Sequence, residues 1–149
     1  MAADRLGAAI AAVCADPGLL AAMDEAIERF GRPDSLPFRW DAGGCLILAE
    51  AIRRVAGGVL VGACEEGDDG EPDRASIDHV MVEFDDGTYA DALGVRDLDR
   101  ALDDVVEIGG FVSPVFVPLR GVDDPCLTDI ATDEPLTRAV AARLAAELC

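Results

Sequence analysis

The stretch His79-Val80-Met81-Val82-Glu83-Phe84-Asp85-Asp86-Gly87-Thr88-Tyr89-Ala90-Asp91 decides how this chain folds. Two runs rich in β-branched and aromatic residues flank Asp85-Asp86-Gly87, which has the chemistry of a tight hairpin turn. Residues 77–84 and 88–93 are therefore expected as paired strands. If Gly87 takes the left-handed position of a three-residue loop, Phe84 pairs with Thr88, Glu83 with Tyr89 and Met81 with Asp91. His79 and Asp91 then share one face as diagonal neighbours, their backbones roughly 7–8 Å apart, close enough for an imidazole and a carboxylate to lean together. A two-residue loop would pair Val82 with Asp91 and send Asp91 to the opposite face.

Upstream, Gly43-Gly44-Cys45-Leu46-Ile47-Leu48 opens an apolar run expected to be helical over residues 44–56, with Gly57-Gly58 ending it. Cys45, Leu48, Ala49, Ile52, Val55 and Ala56 fall on one face at three-and-four spacing, which puts Cys45 in the first turn. A thiol reacts as the thiolate, and a helix N-terminus and a nearby imidazole both favour that form. His79 is the chain's one histidine. In such an arrangement His79 takes the thiol proton and returns it to a leaving amine, while Asp91 fixes the imidazole tautomer. Each residue alone has a plainer role: a small buried hydrophobe for Cys45, a satisfied core histidine for His79, a carboxylate near a turn for Asp91. Their coincidence on a helix start and one hairpin favours a site.

These motifs resemble the papain-like cysteine hydrolase superfamily in its compact form, as in NlpC/P60-like and transglutaminase-like bacterial and phage proteins. The resemblance rests on Gly43-Gly44-Cys45, on His79-Val80-Met81-Val82-Glu83 and on Asp86-Gly87-Thr88-Tyr89-Ala90-Asp91-Ala92-Leu93-Gly94-Val95, and it covers residues 40–95. It implies a Cys-bearing helix packed on a small antiparallel sheet, with Cys45 as nucleophile, His79 as general base and then acid, and Asp91 as orienter. The implied activity is thiol hydrolysis or acyl transfer at an amide or related acyl bond, with no cofactor and no metal. Papain-type proteases use an upstream glutamine in the oxyanion hole, and this chain has no glutamine at all. That task falls to the Cys45 backbone amide and a donor from residues 35–44. Trp40, Gly44 and Tyr89 are candidates for lining the substrate groove, with core packing the competing role for Trp40.

Around this core, residues 2–13 and 17–30 read as helices, the second capped by Asp16, started by Pro17 and closed by Gly31. Ile10, Val13, Leu20, Met23, Ile27 and Phe30 form their expected buried stripe. Residues 32–37, with two prolines, read as a loop. Residues 59–64 suit a strand, and the acid-rich residues 65–73 an exposed mobile loop serving solubility or gating. Residues 97–103 read as a short helical turn, 105–108 and 111–119 as strands, with Pro114 pushing the latter toward an edge. Thr132 or Asp133 caps a final helix to residue 148, in which Leu136, Val140, Leu144 and Leu148 recur every fourth position. Helices first and strands next indicate an α+β fold rather than a β-α-β alternation, in one domain spanning residues 1–149.

Composition narrows the partners. The chain has 149 residues, 51% of them hydrophobic, and a formal net charge of −18. Such a field repels phosphate backbones and anionic lipid, which disfavours direct nucleic-acid and membrane binding and leaves a basic protein as the partner the surface would attract. A catalytically silent acidic binding protein is thus the alternative to the hydrolase. All 12 basic residues are arginine. Cys14, Cys45, Cys64, Cys126 and Cys149 are scattered without a Cys-x-x-Cys pair, so neither a disulfide framework nor a zinc site is indicated, and a metal site from Cys45, Cys64 and His79 lacks ligand spacing. Reduced thiols and the lack of a leader-like segment point to a soluble, cytoplasmic protein.

Overall fold

Asp16 and Gly31 delimit the second helix as their chemistry requires. The Asp16 carboxylate accepts from the Gly18 and Leu19 amides, and Gly31, at φ 88°, turns its N–H back to the carbonyls of Ile27 and Glu28. This computed structural model describes residues 3–31, 40 and 43–149; the loop expected at 32–37 and most of the 35–44 donor segment lie outside them. Helices α1 (Ala3–Cys14) and α2 (Pro17–Phe30) are followed by α3 (Cys45–Ala56). Ile10, Val13, Met23 and Ile27 are buried, whereas Leu20 is half-buried and Phe30 is 37% exposed, so the expected stripe stops short of its last member.

The sheet begins with β1 (Val59–Glu66), which hairpins into the short β2 (Pro72–Asp73), and continues through β3 (His79–Glu83), β4 (Thr88–Asp91) and β5 (Gly94–Asp97). After α4 (Leu98–Glu107) comes β6 (Pro114–Pro118), then α5 (Glu134–Leu148) behind its Asp133 cap. All pairings are antiparallel: β1, β3, β4 and β5 are neighbours in that order, β6 lies along the other side of β1, and β2 pairs with its end. The fold is α+β, with five α-helices and a six-stranded antiparallel sheet among the described residues.

Helix α3 lies between the sheet and α5. Its spacing predicts one buried face; instead every residue from Cys45 to Ile52 is buried, because helix covers one side and sheet the other. Leu46, Ile47, Leu48 and Ile52 thus each contribute about 1.5–3 kcal/mol of burial to a main core that also holds Leu60, Val80, Val82 and Ala90 from the sheet. The opposite face of the sheet carries a second cluster, Val61, Ala63, Met81 and Tyr89, under Ala101 and Val105 of α4 and Phe111.

Two local expectations need correction. Residues 65–66 extend β1, and the Glu65 carboxylate accepts from the Val112 and Ser113 amides, so the acidic stretch is partly built into the sheet rather than wholly a free loop. Residues 105–108 are not a strand: Asp97 caps α4 by accepting from the Arg100 amide, and the helix continues through Val105 and Val106 because Ala101, Asp104 and Val105 share a buried helical face. Residues 94–97 add a further strand, because a two-residue link at Ala92-Leu93 returns the chain beside β4. Pro114 does open a strand at the margin of the sheet.

Candidate active site

The β3–β4 hairpin fixes the first relationship in the site. Phe84 N–H donates to Thr88 C=O, Gly87 sits at φ 85°, and Glu83 faces Tyr89 with Val82 facing Ala90. Asp86 closes the turn by accepting from the backbone and hydroxyl of Thr88. That is the three-residue loop register, and it sets His79 Nε2 2.7 Å from Asp91 Oδ2.

The second relationship joins the hairpin to α3. His79 is hydrogen-bonded to Asp91, and Cys45 stands close enough to the ring to help hold a proton on it. The ring therefore stands between groups from both sides of the sheet. Asp91 belongs, with Tyr89, to the α4 side, whereas Cys45 belongs to the core around α3. His79 is the first residue of β3, at the strand end. Burial opposes a charge on His79, but the bond to Asp91, the nearness of Cys45 and the charges of both outweigh it and raise its pKa to about 10. At neutral pH the imidazole holds a proton.

Asp91 is more constrained than a hairpin carboxylate needs to be. It is 4% exposed. Its Oδ1 accepts from the Leu93 amide, an Asx turn that sets the link to β5, and from Arg96 NH2 at 2.5 Å. Although burial resists ionisation, the His79 bond, the charges of His79 and Arg96 and the Leu93 amide hold its carboxyl below the usual aspartate range. Arg96 NH1 bonds in turn to Asp104 of α4, whose other oxygen is 3.3 Å from Arg100 Nε. The row Cys45, His79, Asp91, Arg96, Asp104 thus runs from α3 through the sheet to α4.

Arg96 and Asp104 are not among the residues that the sequence singles out. The signal lies in the Asp91-x-x-Gly94 spacing. Once Asp91 pairs with Gly94, Tyr89 pairs with Arg96 and the guanidinium falls diagonal to Asp91 on the same face.

The remaining candidates occupy distinct places. Gly44 is the buried N-cap residue of α3 and offers no side chain to its first amides, so those N–H groups depend on other acceptors. Trp40 is 7% exposed and packs in the main core with Cys45, and its Nε1 is buried with no acceptor among the described residues. Tyr89 packs on the α4 side, its ring 5.2 Å from Phe116, and donates to Glu83; burial and that bond push its pKa to about 12. Cys64 is fully buried in β1, where desolvation pushes its thiol up. Cys14 and Cys126 are half-buried and Cys149 exposed. Among the described residues no His, Cys, Asp and Glu group has metal-binding geometry, and no single helix is long and apolar enough to cross a membrane.

Comparison with protein-family models, with curated proteins and with solved structures gives no match to this chain.

Proposed function

We propose that the chain is a papain-like thiol hydrolase or acyl transferase, acting on an amide or related acyl bond through a thioacyl intermediate at Cys45. The observation that carries this reading is Cys45 at a helix start beside His79, whose ring is hydrogen-bonded to Asp91. A protonated His79 alters the expected order of events. The imidazole carries a proton at the outset, and its first task is to protonate the leaving amine as the sulfur, which reacts as thiolate, bonds to the carbonyl carbon. It then takes a proton from the water or amine that cleaves the thioester and returns to its starting form. Asp91 keeps the ring oriented throughout, and the first amides of α3 are the donors nearest the developing oxyanion. All five cysteines are thiols, which supports action in a reducing compartment such as the cytoplasm.

One observation favours a second reading. Cys45 is only 2% exposed, and with a net charge of −18 the surface suits a silent binding protein for a basic partner. Incubation with p-nitrophenyl acetate followed by peptide mass mapping separates the two. The hydrolase reading expects an acetyl group on Cys45 that decays in water, is lost in Cys45→Ser and forms at least tenfold more slowly in His79→Gln. Acetylation spread evenly over Cys14 and Cys126, or absent from Cys45, overturns it.

A further inference from the structure

Between α4 and the β4–β5 link lies a cavity of about 70 Å³. Val105 and Phe111 are its buried apolar lining, while Leu93, 45% exposed, and Ile108, 57% exposed, stand in water at its mouth. Asp78, His79, Asp91, Arg96 and Asp104 also line it. Four of these five satisfy one another. His79 is bonded to Asp91, Arg96 to Asp91 and Asp104, and Asp104 also to Arg100, which lies outside the lining. Asp78 stands apart from that network. It is exposed just before β3 and has no hydrogen-bond or ion-pair partner among the described residues.

An aliphatic chain laid against Leu93, Val105, Ile108 and Phe111 removes apolar surface from water on both partners. The charge such a chain should carry is set by Asp78. A primary ammonium donates to that carboxylate in a charge-assisted hydrogen bond. Because Asp78 is exposed, the ammonium keeps part of its hydration and escapes the desolvation cost of the interior. The field of a chain with a net charge of −18 adds to the attraction. A carboxylate ligand meets Asp78 while His79 and Arg96 are already paired, and a neutral ligand gains the apolar contact alone. A metal ion is a poorer occupant, since among the described residues no three His, Cys, Asp or Glu side chains are grouped to hold one. We infer that this cavity binds a primary alkylammonium, with its chain against Leu93, Val105, Ile108 and Phe111 and its head on Asp78. Cys45 is not among the lining residues, so the site stands whether or not the thiol reacts.

His79 lines the cavity and is the chain's one histidine, so its ring reports occupancy. The intact protein is titrated at about pH 7, where an alkylamine is protonated, with n-butylammonium, 1-butanol and butyrate. These share a chain and differ in charge, and the His79 ring and the Leu93 and Ile108 methyl signals are followed by NMR. Butylammonium should give saturable shifts in the millimolar range, with butanol weaker by about three- to fivefold, the gain of a half-exposed ion pair, and butyrate by about tenfold. Asp78→Asn should bring butylammonium down to the level of butanol and leave butanol unchanged. Glu28→Gln removes an equal charge from the exposed face of α2, which packs on the main core rather than beside α4, and should change neither. Ile108→Ala should weaken butylammonium and butanol alike. Nα-acetyl-lysine methylamide separates the sources of the ammonium: binding as tight as butylammonium or tighter assigns the cavity to a protein's lysine side chain, and weaker binding assigns it to a free amine. No saturable shift, butanol that binds as well as butylammonium, an Asp78→Asn protein that keeps its preference, an equal loss in Glu28→Gln, or binding indifferent to Ile108→Ala overturns the proposal.

Discussion

His79 and Asp91 meet at 2.7 Å because Glu83 and Tyr89 face each other nearer the turn, so a backbone register decides a side-chain hydrogen bond. Asp91 then does two jobs with its two oxygens. Oδ2 holds the imidazole, while Oδ1 holds Arg96 and the amide that starts the next strand. The same carboxylate that orients a candidate acid-base group also ties β4, β5 and, through Arg96 and Asp104, α4.

Asp91→Ala should therefore cost about 3–5 kcal/mol, the range for removing one partner of a buried ion pair. Asp91→Asn keeps the volume and one acceptor oxygen, and about 1–3 kcal/mol is expected. From the sequence alone the asparagine variant would be expected to leave the fold nearly intact; the Arg96 bond is the reason it should not. Urea denaturation of the three proteins measures this, and an Asn variant as stable as the parent would show that Arg96 is satisfied by Asp104 alone.

Two glycines, Gly87 in the β3–β4 turn and Gly58 between α3 and β1, separate conformational cost from steric cost. Gly87 has φ 85° and open space where a Cβ would stand, so Gly87→Ala should cost about 1–2 kcal/mol from the left-handed backbone alone. Gly58 has φ 91°, and a Cβ there would stand 2.6 Å from Val82 Cγ1 and 2.8 Å from the Glu83 carbonyl. Gly58→Ala should be the more damaging, since the clash falls on β3 itself. Equal loss of thermal stability in the two variants would contradict this.

Much of the site was legible because its determinants are local. Asp85-Asp86-Gly87 sets the loop, the loop sets the register, and the register brings His79 to Asp91. Asp16, Pro17 and Gly31 bound α2 for equally local reasons. What was not legible depended on partners distant in sequence. Val105 and Val106 look strand-forming until Asp97 is recognised as a cap and Asp104 is given Arg96 as a counter-ion. The continuous burial of α3 required α5 to lie behind it, which no pattern within residues 45–56 announces.

The raised pKa of His79 makes stability depend on pH in a defined direction. The folded protein holds this proton up to about pH 10, against an ordinary value of 6.5. The contribution is therefore complete below about pH 6.5 and is lost as pH rises through about 10. The stability difference between parent and His79→Gln should be flat in mild acid and close by a few kcal/mol, in order of magnitude, across that window. Tyr89, pushed to about 12, stays out of it. A difference that grows with pH would assign His79 a neutral structural role.

Thiol labelling sets access against charge. Ranked by exposure, iodoacetamide should take Cys149 first, Cys14 and Cys126 next, and Cys45 with Cys64 last. Ranked by electrostatics, Cys45 should lead the four internal thiols, because it stands at a helix start beside an imidazole that carries a proton. Cys64 is the internal control, as fully buried as Cys45 but with its thiol pushed up by desolvation. At about pH 6.5, where an ordinary thiol is almost wholly protonated, Cys45 should label at least tenfold faster than Cys64 and faster than Cys14 and Cys126, with Cys149 mapped separately. His79→Gln should slow Cys45 by about tenfold or more and leave Cys64 unchanged. If labelling follows exposure, or if Cys45 is indifferent to the loss of His79, the imidazolium does not activate the thiol, and the acidic binding protein becomes the better account of this fold.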